Sequence, residues 1–75
     1  MSPRQPVVSG TGFVKALEKD GWTVVRQRGS HVRLKKSGRR MALVIPLHKE
    51  LRKGTLAGAL RDADLDTDSL RNLLR

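Results

Sequence analysis

The sequence contains no cysteine, and this absence excludes disulfide bonds and thiolate metal sites. Apolar residues form no run long enough to span a membrane. The N-terminus, MSPRQPVVSG, also lacks the apolar segment of a signal peptide. These absences together predict a soluble, cytoplasmic protein without a membrane partner.

Aromatic residues are scarce, with one Trp, one Phe and no Tyr. Recognition of single-stranded nucleic acid by base stacking needs exposed aromatic side chains, so this mode is disfavoured. Trp22 can stack on a base or belong to the core, and its position just after a predicted helix favours the core. Recognition of phosphate groups and of shape is therefore favoured.

Acidic residues are few: 7 Asp and Glu stand against 16 Lys and Arg, and the formal net charge is +9. Most of the excess lies in residues 22–54, where Glu50 is the only acid. The basic residues of this segment are Arg26, Arg28, Arg33, Lys35, Lys36, Arg39, Arg40, Lys49, Arg52 and Lys53. Such clustering favours binding to a polyanion, with a solubilising surface as the alternative.

The chain has 75 residues, of which 37 % are hydrophobic, so we predict one domain with a small core. A core of this size leaves little room for a deep substrate pocket, and an enzyme of this size is expected to act at its surface on a polymer. Residues 1–8 are predicted to be a flexible leader, because Pro3 and Pro6 disfavour a helix there. Residues 9–75 are predicted to form the single domain.

Apolar residues at three- and four-residue spacings predict a first helix that ends at about Asp20. Ser9 or Thr11 can cap its N-terminus, and Gly21 provides its C-terminal stop. The same spacing predicts a second helix over residues 55–63. Gly58 lies inside that helix, where glycine is unfavourable, and this suggests close packing at that position.

Three strands are predicted between these helices. The first spans residues 22–28 and the second residues 31–35, joined by a type II′ turn at Gly29-Ser30. Residues 41–45 form a continuous apolar run, which predicts a third strand that is well covered by other elements. Residues 47–53 are predicted to be a basic loop, and a short last helix should follow a cap at Asp66 or Thr67.

This order predicts an α+β two-layer sandwich: a helix, three antiparallel strands and a helix, with a short C-terminal helix. Both long helices must cover the same face of the sheet. His31, Arg33 and Lys35 are expected on the open face, because Val32 and Leu34 alternate with them and must point inward.

Several short motifs, in their order and spacing, carry a resemblance to a known family. They are Ser9-Gly10, Gly21-Trp22, Gly29-Ser30-His31 after a basic strand, and Pro46 and His48 followed by KELRKGTL. From about Val8 to Leu74 the sequence resembles the HicA toxins, small ribonucleases of bacterial and archaeal toxin–antitoxin modules. The resemblance implies a fold similar to a double-stranded-RNA-binding domain.

The resemblance also implies an activity and a partner. The activity would be endonucleolytic cleavage of mRNA by a toxin that uses no metal or other cofactor, and its catalytic histidine would be His31. A HicB-type antitoxin would block it and is expected to cover His31. The sequence departs from the family pattern at Ala59, Asp62 and Asp64, which bear on packing and partner contacts.

RNA cleavage needs proton transfers and stabilisation of phosphate charge. An imidazole suits the proton transfers near neutral pH, and arginine suits the phosphate. A second proton-transfer group is needed, for which His48, a lysine or water are candidates, with Ser30 and Gly29 as further support. The candidate RNA-binding residues are Arg26, Arg28, Arg33, Lys35, Lys36, Arg39, Arg40, Lys49 and Lys53.

Other interpretations of these residues stay open. Without the resemblance, His31 is more simply a solvated hairpin residue, and His48 can merely shape its loop or contact phosphate. The basic face also suits a non-catalytic RNA-binding module, or a protein that meets an acidic partner. DNA binding is disfavoured, because the basic residues lie on strands and loops rather than in a helix-turn-helix.

Overall fold

The computed structural model describes residues 6–75, so most of the predicted leader lies outside the described residues. The helices and strands follow the predicted order. They are α1 Gly10–Lys19, β1 Thr23–Arg28, β2 His31–Lys35, β3 Leu43–Pro46, α2 Lys53–Ala63 and α3 Thr67–Leu73. This arrangement confirms the predicted α+β class with a short C-terminal helix.

Helix α1 begins and ends at the predicted signals. The Ser9 hydroxyl accepts a hydrogen bond from the Gly12 N–H at 3.0 Å, which satisfies a backbone donor of the first turn. Gly21 follows the helix with a φ of 99°, a left-handed conformation that glycine adopts without steric penalty. Phe13 and Leu17 are fully buried, so one face of α1 packs on the sheet.

Helix α3 also begins at a predicted cap. Asp66 Oδ1 accepts a hydrogen bond from the Ser69 backbone N–H at 2.7 Å. This bond, with a further one from the Ser69 side chain, lowers the pKa of the Asp66 carboxyl. Leu70 is fully buried, and the last helix is thereby held against the rest of the core.

The three strands form one antiparallel sheet in the order β1-β2-β3, so β2 is the central strand. Gly29 has a φ of 58°, and Ser30 after it does not have a positive φ. A type I′ turn would need positive φ at both positions, so the turn fits the predicted type II′.

The core lies between the sheet and the helices. Its largest fully buried side chains are Phe13, Leu17, Leu34, Ile45, Leu56 and Leu70. Val8 belongs to this core as well: its side chain is buried, and its carbonyl accepts a hydrogen bond from Leu51 N–H at 2.9 Å. Val8, which lies within the predicted leader, therefore contributes to the core.

The prediction of a third strand that is well covered by other elements is wrong. The strand is displaced to Leu43–Pro46, and its residues alternate between buried and exposed. Val44 is 53 % exposed, and Met41, predicted within the strand, lies before it and is 70 % exposed. The physical reason is that the helices cover a single face of the sheet, so every second apolar side chain faces solvent.

Two other boundaries differ from the prediction. Strand β1 starts at Thr23, after the buried Trp22, and all of its residues are exposed because it is an edge strand that the helices scarcely cover. Helix α2 starts at Lys53, so the basic loop is shorter than predicted and Lys53 lies in the first helical turn.

The glycine that needs close packing is Gly10 and not Gly58. A methyl group added at Gly58 would meet only the Arg61 guanidinium, at 3.8 Å. A methyl group added at Gly10 would overlap the Pro46 carbonyl oxygen and lie 2.7 Å from the Leu47 Cα. Helix α1 therefore touches the end of β3 backbone to backbone, which a side chain would prevent.

These two positions form a matched pair of alanine substitutions. We expect Gly10→Ala to lower the free energy of unfolding by about 1–3 kcal/mol, because backbone atoms must move apart. Gly58→Ala should raise it by roughly 0.5–1 kcal/mol, because alanine is the better helix former. Urea unfolding followed by the fluorescence of the buried Trp22 measures both changes, and equal effects would contradict this account of α1 packing.

Candidate nucleic-acid interface

The β1–β2 hairpin brings four basic side chains to the open face of the sheet. In the antiparallel register, Arg28 lies opposite His31 and Arg26 lies opposite Arg33. Residues directly opposite each other in such a pair have their side chains on the same face. We call Arg26, Arg28, His31 and Arg33 the basic quartet.

The two-residue turn at Gly29-Ser30 places the two arginines of β1 on this face. From Arg28 to Arg26 the pairing with β2 continues without interruption. A β-bulge at Val25 shifts the register by one residue only beyond Arg26. Such a shift exchanges the two faces of a strand, so the uninterrupted pairing as far as Arg26 keeps both arginines on the open face.

The basic quartet surrounds a shallow hollow of about 190 Å³. Val44 completes the lining, and it lies opposite Arg33 on β3. Val44 was not among the predicted site residues. Its exposure could not be read from the sequence, because the neighbours of Val44 in the run 41–45 are apolar too.

His31 is the first residue of the central strand and lies between Arg28 on β1 and Pro46 on β3. Its backbone is held on both sides, since the adjacent Ser30 carbonyl accepts a hydrogen bond from Leu47 N–H at 2.6 Å. Its imidazole is exposed, whereas the next residue, Val32, is buried. This combination leaves an imidazole open to solvent on a backbone that is held on both sides.

Three of the sequence motifs meet at this corner of the sheet. Gly10 N–H donates a hydrogen bond to the His48 carbonyl at 2.9 Å, and Gly10 packs on the Pro46–Leu47 backbone. Leu47 in turn bonds to the turn residue Ser30. Residues 9–10, 29–31 and 46–48 are far apart in the sequence, so the sequence did not predict this contact. The tertiary structure brings the three segments together.

The predicted supporting residues have distinct positions. His48 is exposed, its backbone carbonyl holds the start of α1, and it does not line the hollow. Gly29 and Ser30 form the exposed turn next to His31, where the Gln27 side-chain amide donates a hydrogen bond to the Gly29 carbonyl at 3.3 Å.

The other predicted RNA-binding residues lie outside the hollow. Lys36 forms a half-buried ion pair with Asp20 at 3.1 Å, and Arg39 forms an exposed one with Asp64 at 3.2 Å. These two cations are therefore already neutralised within the chain. The remaining ones are exposed and are found at the far end of β2, in loops and at the start of α2: Lys35, Arg40, Lys49 and Lys53.

Trp22 is 2 % exposed, so it belongs to the core as predicted and is not available for base stacking. Within residues 6–75, no three His, Asp or Glu side chains are grouped so as to hold a metal ion. Nor does this part of the chain contain a helix long and apolar enough to cross a bilayer.

Comparisons with known proteins identify the family of this chain and a solved structure with a similar fold. Residues 10–65 match the family model described as the HicA toxin of bacterial toxin–antitoxin. A solved structure, a toxin–antitoxin complex from Streptococcus pneumoniae, contains a chain that is 37 % identical and has a TM-score of 0.66. The match covers 77 % of this chain and 98 % of that chain. A search of curated protein sequences returned no match.

Proposed function

Because this chain belongs to the HicA toxin family, we propose that it is a metal-independent endoribonuclease that cleaves mRNA, with His31 as its catalytic residue. The observation that carries the proposal is the exposed His31 in a hollow shared with three arginines. A nuclease acts on a bulky polyanion, and an open, positively charged face admits such a substrate. We place its action in the cytoplasm, where mRNA is available.

The proposed reaction uses the 2′-hydroxyl of RNA as the nucleophile. The 2′-oxygen forms a bond to phosphorus while the bond from phosphorus to the 5′-oxygen breaks. The 2′-hydroxyl gives up a proton, and the leaving 5′-oxygen takes one. An imidazole can carry out such proton transfers, and His31 is the group in the hollow that can do so.

Arg28 is the residue best placed to stabilise the charge that develops on the phosphate. It lies directly opposite His31 and shares the hollow with it. A guanidinium can donate two parallel hydrogen bonds to phosphate oxygens, and such bonds strengthen as negative charge accumulates. A role for Arg28 in the chemical step follows from this position.

The second proton transfer is assigned to water. The hollow is lined by His31, arginines and Val44. Arginine remains protonated in proteins and valine has no proton to exchange, so neither can act as a base. His48 lies outside the hollow and contributes its backbone carbonyl to the α1 contact. Catalysis by one imidazole and solvent is expected to be modest in rate.

Alanine substitutions of the two histidines test the proposal. We expect His31→Ala to slow cleavage of labelled RNA in EDTA by at least about 100-fold, the usual scale for losing a general acid–base group. Its free energy of unfolding should change by less than about 0.5 kcal/mol, because the side chain is exposed. His48→Ala is the matched control and should retain activity within about threefold.

The outcomes separate the alternatives. Equal cleavage by His31→Ala and the wild type would overturn the assignment of His31. If His48→Ala loses as much cleavage activity as His31→Ala, the second proton transfer is assigned to His48 and not to water. Salt-dependent RNA binding without any cleavage by the wild type would favour the alternative, a non-catalytic RNA-binding module with a basic sheet face.

We also propose that a HicB-type antitoxin neutralises the protein by covering the open face and His31. The solved relative is part of a toxin–antitoxin complex, which supports an antitoxin partner. The basic quartet attracts an acidic surface, and the exposed Val44 gives that surface an apolar contact beside the quartet. The same coverage would exclude RNA.

A charge placed in the hollow tests the antitoxin interface. The antitoxin is expected to be encoded by the neighbouring reading frame. Val44→Asp should weaken its binding at least tenfold, because an acid would face an acidic partner. Val7→Asp is the control, since Val7 is also an exposed valine but lies beside Leu51, away from the hollow. Isothermal titration calorimetry measures both, and equal affinities would contradict coverage of this face.

A further inference from the structure

The basic quartet contains a repulsion that no acid within residues 6–75 relieves. Arg26 and Arg33 lie directly opposite each other on neighbouring strands, an arrangement that is unfavourable for like charges. Within residues 6–75 the ion pairs join Lys36 to Asp20, Arg39 to Asp64 and Arg71 to Asp68, so neither Arg26 nor Arg33 has an acidic partner. An anion bound between them would remove the repulsion.

The hairpin turn makes this pair. The two-residue turn at Gly29-Ser30 places Arg28 opposite His31, and two residues further along the strands Arg26 lies opposite Arg33. The β-bulge at Val25 follows directly and ends this register. Bulges are frequent next to active sites, and this one adjoins the pair of arginines.

The quartet consists of two rows across the hairpin. One row is Arg28 with His31, and the other is Arg26 with Arg33. Residues two apart on a strand are separated by about 6.6 Å, twice the rise of roughly 3.3 Å per residue. This separation is comparable to that of consecutive phosphates in an extended strand of nucleic acid, and both rows line the same hollow.

We propose that Arg26 and Arg33 together bind the phosphate next to the scissile one, while Arg28 and His31 hold the scissile phosphate. This second phosphate subsite rests on the proposed ribonuclease function. Arg26 and Arg33 are positioning residues: they fix the register of the RNA strand so that its neighbouring phosphate lies at His31. They touch no reacting atom, so they govern substrate binding and not the chemical step.

RNA binding by the inactive His31→Ala protein tests the subsite directly. Fluorescence anisotropy with a labelled single-stranded RNA gives the dissociation constant at several salt concentrations. Each phosphate neutralised on a single strand contributes about 0.7 to the slope of log affinity against log salt. The two arginines are proposed to share one phosphate. The double variant that combines Arg26→Gln with Arg33→Gln should therefore reduce the slope by about 0.7, the contribution of a single phosphate.

Lys15→Gln is the control for loss of positive charge, because Lys15 is exposed on α1, the helix that packs on the opposite face of the sheet. We expect it to leave the slope unchanged. An unchanged slope in the arginine double variant, or an equal loss in Lys15→Gln, would overturn the subsite. Thermal unfolding provides a structural check: relief of the repulsion should leave the double variant at least as stable as its parent.

Kinetics with the active protein separate positioning from chemistry. Arg26→Gln and Arg33→Gln should raise KM at least about fivefold with kcat within about twofold, whereas Arg28→Gln should lower kcat. A fall in kcat for Arg26→Gln equal to that for Arg28→Gln would overturn the assignment of the two rows. If RNA binds with the predicted slopes but the wild type does not cleave it, the proposed ribonuclease activity is overturned and the proposed phosphate subsite is retained. Absence of salt-dependent RNA binding would overturn both.

Discussion

The pairing register of β1 and β2 is the constraint on which the site depends. The turn at Gly29-Ser30 sets the register by placing Arg28 opposite His31. The bulge at Val25, four residues before Gly29, is where this register ends in β1. Between these two points the strands carry arginine on one face only. A slip by one residue would send those charges toward the core, where burial without a partner is strongly unfavourable.

The core supports this register from the other side of the sheet. Val32 and Leu34 anchor β2 against the helices and so orient its remaining side chains outward. The start of α1 locks the far corner, because Gly10 packs on the end of β3 and bonds to the His48 carbonyl. The residues that make the family motif recognisable are thus largely the residues that hold His31 in place.

Charge is distributed unevenly between paired and unpaired cations. Lys36 after the hairpin and Arg39 before β3 are paired with the carboxylates of Asp20 and Asp64. Within residues 6–75 the arginines of the basic quartet have no such partner. An unrelieved cluster of like charge lowers stability, and proteins accept this at binding sites. The edge position of β1, exposed along its whole length, keeps these side chains solvated in the free protein.

The sequence by itself determined the order of the elements, the caps at Ser9 and Asp66, the turn at Gly29 and the outward alternation of His31, Arg33 and Lys35, because each depends on contacts between near neighbours in the chain. It also determined the family, through motifs around His31. Only the tertiary structure decided which basic residues share a hollow with His31, that Lys36 and Arg39 are paired elsewhere, that Val44 is exposed, and that Gly10 rather than Gly58 is closely packed. These depend on strand register and on which face the helices cover, and both result from contacts between segments distant in sequence, which a local pattern does not encode.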